Sequence, residues 1–300
     1  MRNGQDGGSY TLRHPAVSGL FYPDDKTELK SAVDSYLEEV DMNSLFETIR
    51  RQTSIERPET RMPVVLVAPH AGYIFSGRVQ ASSYALLQGH TVDTAIIMGP
   101  SHLSRFDGVS VTLDDAFSTP LGISRVDVEF SKCLAKRLAS TRCAASDNEK
   151  AHLSEHAVEV QLPFLQRLFP SARIVSLLFG GHDLETVASI YEALSDTMDG
   201  LKRRYIVIAS SDLSHYHSRT DAVKLDDVII RGMMKMEPQS LYDEISAGRA
   251  EACGSGAILT GMFLARKKGS GRSAILRRMD SGEVSGENRR VVGYVSAAMY

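Results

Sequence analysis

The chain of 300 residues has no uninterrupted apolar run of eighteen residues, the length a bilayer-spanning helix needs, so a membrane span is not expected. It has no basic excess either. The 34 Lys and Arg are outnumbered by 37 Asp and Glu, for a net charge of −3. A nucleic-acid partner would call for a cationic face, which this balance does not predict. Arg277-Arg278 and Arg289-Arg290 read as solvated loop charge. Cysteine is scarce: Cys133, Cys143 and Cys253, with no C-x-x-C pair. That argues against a disulfide framework and a structural zinc site, and it sets a reducing cytoplasm as the expected location. Residues 1–12 are largely polar and lack the apolar stretch of a secretory signal, so they are expected to form a disordered tail ahead of one domain over 13–300. Also missing are a phosphate-cradling P-loop, a G-x-G-x-x-G after a strand and a G-x-S-x-G elbow.

Hydrophobic residues are 43% of the chain and charged residues 24%, ordinary globular usage with enough apolar surface for a large core. Short apolar runs alternate with amphipathic stretches. Val64–Ala68, Ala95–Met98, Ile174–Phe179 and Tyr205–Ala209 read as strands buried on both faces, and Val291–Met299 as a closing strand. Helices are expected from Ser76 as cap to about Gln88, within Arg125–Ala139, from Ser154 as cap past Pro163, over Asp221–Met234 and over Ser255–Lys267. Phe106–Gly122 suggests a β excursion, and Arg50–Pro63 and Asp280–Arg290 read as loops. The pattern predicts an α/β fold with a largely parallel sheet flanked by helices.

Three of the buried runs end in histidine-bearing loops: Pro69-His70-Ala71-Gly72-Tyr73, Gly99-Pro100-Ser101-His102, and Ser210-Ser211-Asp212-Leu213-Ser214-His215. Ligands of open α/β sheets bind beyond the carboxyl ends of the strands, so parallel neighbours would bring these loops to one crevice. Cys253, in Ala252-Cys253-Gly254-Ser255, precedes an apolar helix whose dipole favours thiolate, the metal-ligating and nucleophilic form. A single histidine after a strand is usually a hydrogen-bonded structural residue; three at equivalent strand ends favour a shared site. Asp212 reads equally as a turn cap or a catalytic group. His156 and Glu159 share one helix face at a spacing suited to metal or substrate, although a solvated face is the simpler reading. His217 reads as structural or exposed. His14, His90, His152 and His182 lie in polar stretches without a role, and Cys133 and Cys143 as inert thiols.

Ala68-Pro69-His70-Ala71-Gly72-Tyr73 with Ser76-Gly77, Gly99-Pro100-Ser101-His102, the run Glu155–Leu165, Ser210–Tyr216 and Ala252-Cys253-Gly254 together resemble the signatures of the Memo family, and Arg13–Pro23 resembles its opening. The family implies a fold like that of the LigB-type extradiol dioxygenases, which hold iron with two histidines and a carboxylate. The resemblance implies His70 and His102 as ligands, with Cys253 in the third position. It places His215 and Asp212 as catalytic groups, and Tyr73, His156 and Glu159 towards the substrate. It also implies an iron or copper cofactor, redox chemistry and, for microbial members, radical-SAM and AMMECR-type partners in the AmmeMemoRadiSam set. Arg78 and Ser255 depart from the pattern beside the pocket. Two readings follow: a metal-dependent oxidoreductase of unknown substrate, or a non-catalytic module binding a peptide or metabolite in the same pocket. A third is a cysteine hydrolase using Cys253 and His215.

Overall fold

The computed structural model describes residues 10–139, 141 and 150–300, with the backbone alone at 145, 146 and 149. Most of the expected tail, and Cys143, lie outside the described residues. The strands are β1 (Leu12–Arg13), β2 (Val65–Ala68), β3 (Thr94–Pro100), β4 (Val109–Val111), β5 (Ala116–Thr119), β6 (Gly122–Arg125), β7 (Ala145–Ser146), β8 (Arg173–Phe179), β9 (Tyr205–Ser210), β10 (His215–His217), β11 (Ser273–Asp280) and β12 (Val291–Met299). A nine-stranded sheet runs in the order β10-β12-β2-β9-β3-β8-β4-β7, with β11 also paired to β12. Its centre, β2-β9-β3-β8, is parallel, as the continuous apolar runs require. The flanks are mixed: β12 and β4 join the central strands antiparallel. A second small sheet, β1-β5-β6, uses part of the excursion after Phe106.

The principal helices are α1 (Lys26–Glu38), α2 (Met42–Thr53), α3 (Tyr73–Tyr84), α4 (Val128–Leu138), α5 (Glu149–Leu153), α6 (His156–Glu159), α7 (Leu162–Leu168), α8 (Leu184–Leu201), α9 (Arg219–Lys235), α10 (Pro238–Ser246) and α11 (Ser255–Lys268). Alternation along the central strands supplies two cores. Leu66, Ala95, Ile97, Ile174, Ile206 and Ile208 face one side with Leu29 and Val33 of α1, Ile49 of α2 and Phe164 of α7. Val65, Val67, Ile96, Met98, Val175 and Val207 face the other with Phe130 of α4, Ile190 of α8, Ile229 of α9 and Leu259 of α11. Each fully buried aliphatic side chain contributes about 1.5–3 kcal/mol, which makes this double-faced centre the rigid base of the strand-end loops.

Several local expectations are corrected. Ser76 does not cap α3, which begins at Tyr73; its hydroxyl donates back to the Ala71 carbonyl at 2.8 Å. Ser154 does not cap α6. Glu155 does, its carboxylate accepting from the His156 and Ala157 amides. The helix expected to run past Pro163 is broken there: Pro163 sits in the first turn of the separate helix α7. The loop expected from Arg50 begins later, because α2 continues to Thr53. His152 is not in a polar loop: it lies in α5, buried, between the hydroxyls of Ser110 and Ser176, each 3.1 Å away.

A histidine cluster at the strand ends

Register fixes the site. Ala68 pairs with Ser210 and Met98 with Ala209, so β2, β9 and β3 end side by side. His70 and Asp212 each stand two residues beyond a registered pair, and the His70 amide donates to Asp212 Oδ1 at 2.8 Å. The His70 and His102 ring centroids are 5.2 Å apart. The third imidazole at this point is His156 from α6, 5.4 Å from His70 and stacked on His102 at 4.5 Å. His70, His102 and His156 place one ligand atom each within 4.8 Å of one another, and among the described residues they are the group that converges in this way. His156 thus joins the two histidines expected from sequence. The Cys253 sulfur lies 3.2 Å from His70 Nε2, the ring nitrogen that Ser210 leaves free.

Two glycines allow this closeness. A Cβ on Gly99 would lie 2.9 Å from the Ala157 Cβ, holding α6 away from β3. A Cβ on Gly254 would lie 2.3 Å from the Ser210 carbonyl oxygen, separating Cys253 from β9.

Hydrogen bonds define which nitrogens are free. The Ser210 hydroxyl gives its proton to the Ala157 carbonyl at 2.6 Å. It therefore accepts from Gln161 Nε2 and from His70 Nδ1, each at 2.9 Å. His70 Nε2 then carries a lone pair, and across 3.2 Å the Cys253 thiol is the donor. Glu155 treats His102 likewise: Oε1 accepts from Nδ1 at 2.8 Å and Oε2 from the backbone amide at 2.6 Å. The same Oε1 is 3.3 Å from His156 Nδ1. Burial raises the Glu155 carboxyl pKa, but hydrogen bonds and charge from His102 outweigh it, leaving Glu155 below the usual range and ionised. Burial lowers the pKa of His70, with nearby His102 and His156 acting in the same direction, and burial lowers that of His156. Three imidazoles that bring one ring nitrogen each within 4.8 Å of the others, with Nδ1 of His70 and His102 held by Ser210 and Glu155, are the donor set of a metal site with its outer partners in place.

Asp212 is buried and its pKa is raised to about 7, chiefly by desolvation. Its Oδ2 is 3.9 Å from His215 Nε2, an enclosed atom with no protein hydrogen-bond partner among the described residues. Burial also depresses the His215 pKa. Cys253 corrects the helix-dipole expectation. Burial, and then the Asp212 charge, raise the thiol pKa, overriding the Asp212 amide that donates to the sulfur at 3.2 Å. The free thiol is therefore protonated until a cation or base removes the proton.

Tyr73 and Glu159, expected towards the substrate, are both buried with their polar atoms taken up by the protein. Tyr73 is buried among Tyr22, Tyr36 and Phe164, and its hydroxyl donates to the Val160 carbonyl at 2.8 Å. Glu159 is fully buried; it pairs with Arg13 and accepts from the Ala16 and Val17 amides and the Tyr22 hydroxyl. Arg13 also donates to the His152 and Glu155 carbonyls, so this network clamps the segment that presents Glu155 and His156. His217 pairs with Glu251 at 2.8 Å, apart from the three-histidine group. Cys133 is an exposed free thiol on α4. Glu155, Ser210 and Gln161 carried no assignment from sequence. The Glu155-His156 pair at a helix start was the signal for one of them, whereas the other two act through contacts from distant segments.

The chain is 35% identical to a MEMO1 family protein of Methanopyrus kandleri over 95% of this chain and 97% of the relative. It is 36% identical to a MEMO1 family protein of Methanobrevibacter smithii, over 95% and 98%. Among solved structures, an uncharacterized protein from Escherichia coli K12 shares the fold with a TM-score of 0.52 at 13% identity, covering 79% of this chain and all of that one. The profile described as Memo-like protein matches residues 13–298, and the chain belongs to that family.

Proposed function

We propose that the cluster holds one redox-active metal ion, iron or copper, and that the protein is a metal-dependent oxidoreductase acting on a small molecule. The observation that carries this is the convergence of His70, His102 and His156 with their Nδ1 sides engaged by Ser210 and Glu155. Ligands on a common metal at about 2.0–2.1 Å each stand at most about 4.2 Å apart, so donor atoms within 4.8 Å need only a small contraction. Imidazole suits iron, copper and zinc, and the Cys253 sulfur beside His70 offers a softer fourth donor that favours copper(I). A bound iron or copper ion would supply the electron transfer that the side chains themselves do not.

The protein groups divide the remaining work. Glu155 and Ser210 fix the ring orientations. His102 is the open side of the cluster, its side chain 26% exposed, where a substrate would approach. Asp212 and His215 lie beside the cluster and can hold or pass a proton: each has a pKa displaced by burial towards its neutral form. Radical-SAM and AMMECR-type proteins are proposed as partners on the family resemblance alone.

The test is elemental analysis of untagged protein purified without oxygen, followed by oxygen-uptake measurements. Iron or copper near one per chain, with uptake lost on chelation, supports the reading. Metal-free protein that binds small molecules equally well before and after chelation supports the rival binding module.

A further inference from the structure

The three imidazoles of the cluster are not held alike. Nδ1 of His70 and Nδ1 of His102 have hydrogen-bond partners at 2.9 and 2.8 Å, in Ser210 and Glu155. His156 Nδ1 stands 3.3 Å from Glu155 Oε1, an oxygen that already serves His102 and the amides of His156 and Ala157. Polar contacts therefore leave the His156 ring the least constrained of the three. What it has instead is ring packing. His102 stacks on it with centroids 4.5 Å apart, and Phe21 packs against it at 4.8 Å with the planes inclined by 57°.

Phe21 is brought there by a short strap, Ala16–Tyr22. The strap is closed on itself by the Phe21 amide donating to the Val17 carbonyl at 2.9 Å and the Gly19 amide to the Tyr22 carbonyl at 2.8 Å. Glu159 pins both of its ends: the Ala16 and Val17 amides donate to it at 2.8 and 3.0 Å, and the Tyr22 hydroxyl at 2.5 Å. Glu159 follows His156 by three residues on α6, so carboxylate and imidazole share the helix face that the strap covers. The Phe21 carbonyl in turn accepts from the Tyr73 amide at 2.7 Å, which ties the strap to the start of α3, just beyond the His70 loop. That bond belongs to the backbone, so a change of side chain at position 21 removes the ring contact and leaves the tie.

We infer that Phe21 is a positioning residue of the cluster, its ring holding the His156 imidazole against His102. A ligand whose own hydrogen bonds do not lock its ring is fixed by the packing around it. The inference rests on the metal-site reading and deepens it, because an imidazole that turns away from His102 takes one nitrogen out of the group of three.

The experiment uses the metal-free full chain with carbon-13-labelled histidine. The ring Cε1–H signals of His102 and His156 are recorded for wild type, Phe21→Ala, Phe21→Leu and Leu20→Ala. His102 makes no ring contact with Phe21 among the described residues, so displacement of its signal reports movement of His156 and not loss of the phenyl ring itself. Phe21→Ala is expected to displace the His102 signal. Phe21→Leu keeps apolar bulk where Phe21 packs on the core, so the fold is retained, and should displace the signal in the same direction by less. Leu20, 81% exposed on the same strap, is the control, and Leu20→Ala should leave the signal in place. Cobalt(II) titration of the same proteins should show affinity lowered about tenfold in Phe21→Ala, with an altered visible spectrum. A His102 signal at its wild-type position in both Phe21 variants overturns the inference, and so do wild-type cobalt affinity and spectrum in Phe21→Ala. If wild type takes up no cobalt(II), the metal reading fails and the His102 signal still decides the positioning role.

Discussion

Glu155 grips His102 twice, through Oε1 to the ring Nδ1 at 2.8 Å and through Oε2 to the backbone amide at 2.6 Å. The same carboxylate caps α6 and so positions His156. One side chain therefore sets two of the three imidazoles. Glu155→Gln keeps the shape but loses the charge that holds Nδ1–H, and the expected outcome is a loss of metal affinity of about 10–100-fold. Competition titrations against a chromophoric chelator measure it, with circular dichroism confirming the fold. Unchanged affinity would show that Glu155 serves only as a helix cap.

Ser210 plays the same part for His70. Ser210→Ala removes the acceptor for both His70 Nδ1–H and the Gln161 amide. Leaving buried donors unsatisfied costs about 1–3 kcal/mol, which should appear in urea unfolding, together with weaker metal binding. If stability falls and metal affinity does not, the tautomer assigned to His70 is wrong.

Cys253→Ser tests the sulfur. The thiol is protonated in the free protein, so binding through it must release a proton, and loss of the soft donor should weaken copper(I) more than iron(II). Anaerobic titrations with both metals decide. Equal affinities in wild type and variant would remove Cys253 from the metal's surroundings.

His152 gives a pH signature away from the cluster. Burial, then the nearby Arg13 charge, lower its pKa from 6.5 to about 4. Between those values the unfolded chain binds the proton and the folded chain does not, so stability rises with pH there. The contribution is complete above about pH 6.5 and is lost as pH falls through 4. It amounts to about 3 kcal/mol, on the rule that each unit is worth about 1.4 kcal/mol. Denaturant unfolding from pH 7 to 4 should show it, with a shallower slope in His152→Gln. Identical slopes would assign the acid lability elsewhere.

The central sheet and the convergence of the His70, His102 and Asp212 loops were legible because buried parallel strands write themselves as continuous apolar runs, and the chemistry sits directly at their ends. His156 was undervalued: its i,i+3 pair with Glu159 looks like a solvated face, and nothing local shows that Arg13 buries one partner while Phe21 and His102 cover the other. The pKa direction at Cys253 was misjudged for a related reason. The helix dipole is a local property, whereas the burial and the Asp212 carboxylate that outweigh it come from tertiary packing. The resemblance points Tyr73 towards the substrate, yet in the first turn of α3 its side chain is buried in the core.

The most direct test of the account is a cobalt(II) titration, under anaerobic and reducing conditions, of wild type, His70→Ala, His102→Ala and His156→Ala. The account predicts one ion per wild-type chain, with visible absorption of a nitrogen-liganded centre, and a loss of at least about tenfold in affinity in each variant. A His156→Ala protein that binds cobalt(II) as tightly as wild type, while His70→Ala and His102→Ala do not, would contradict the three-histidine site.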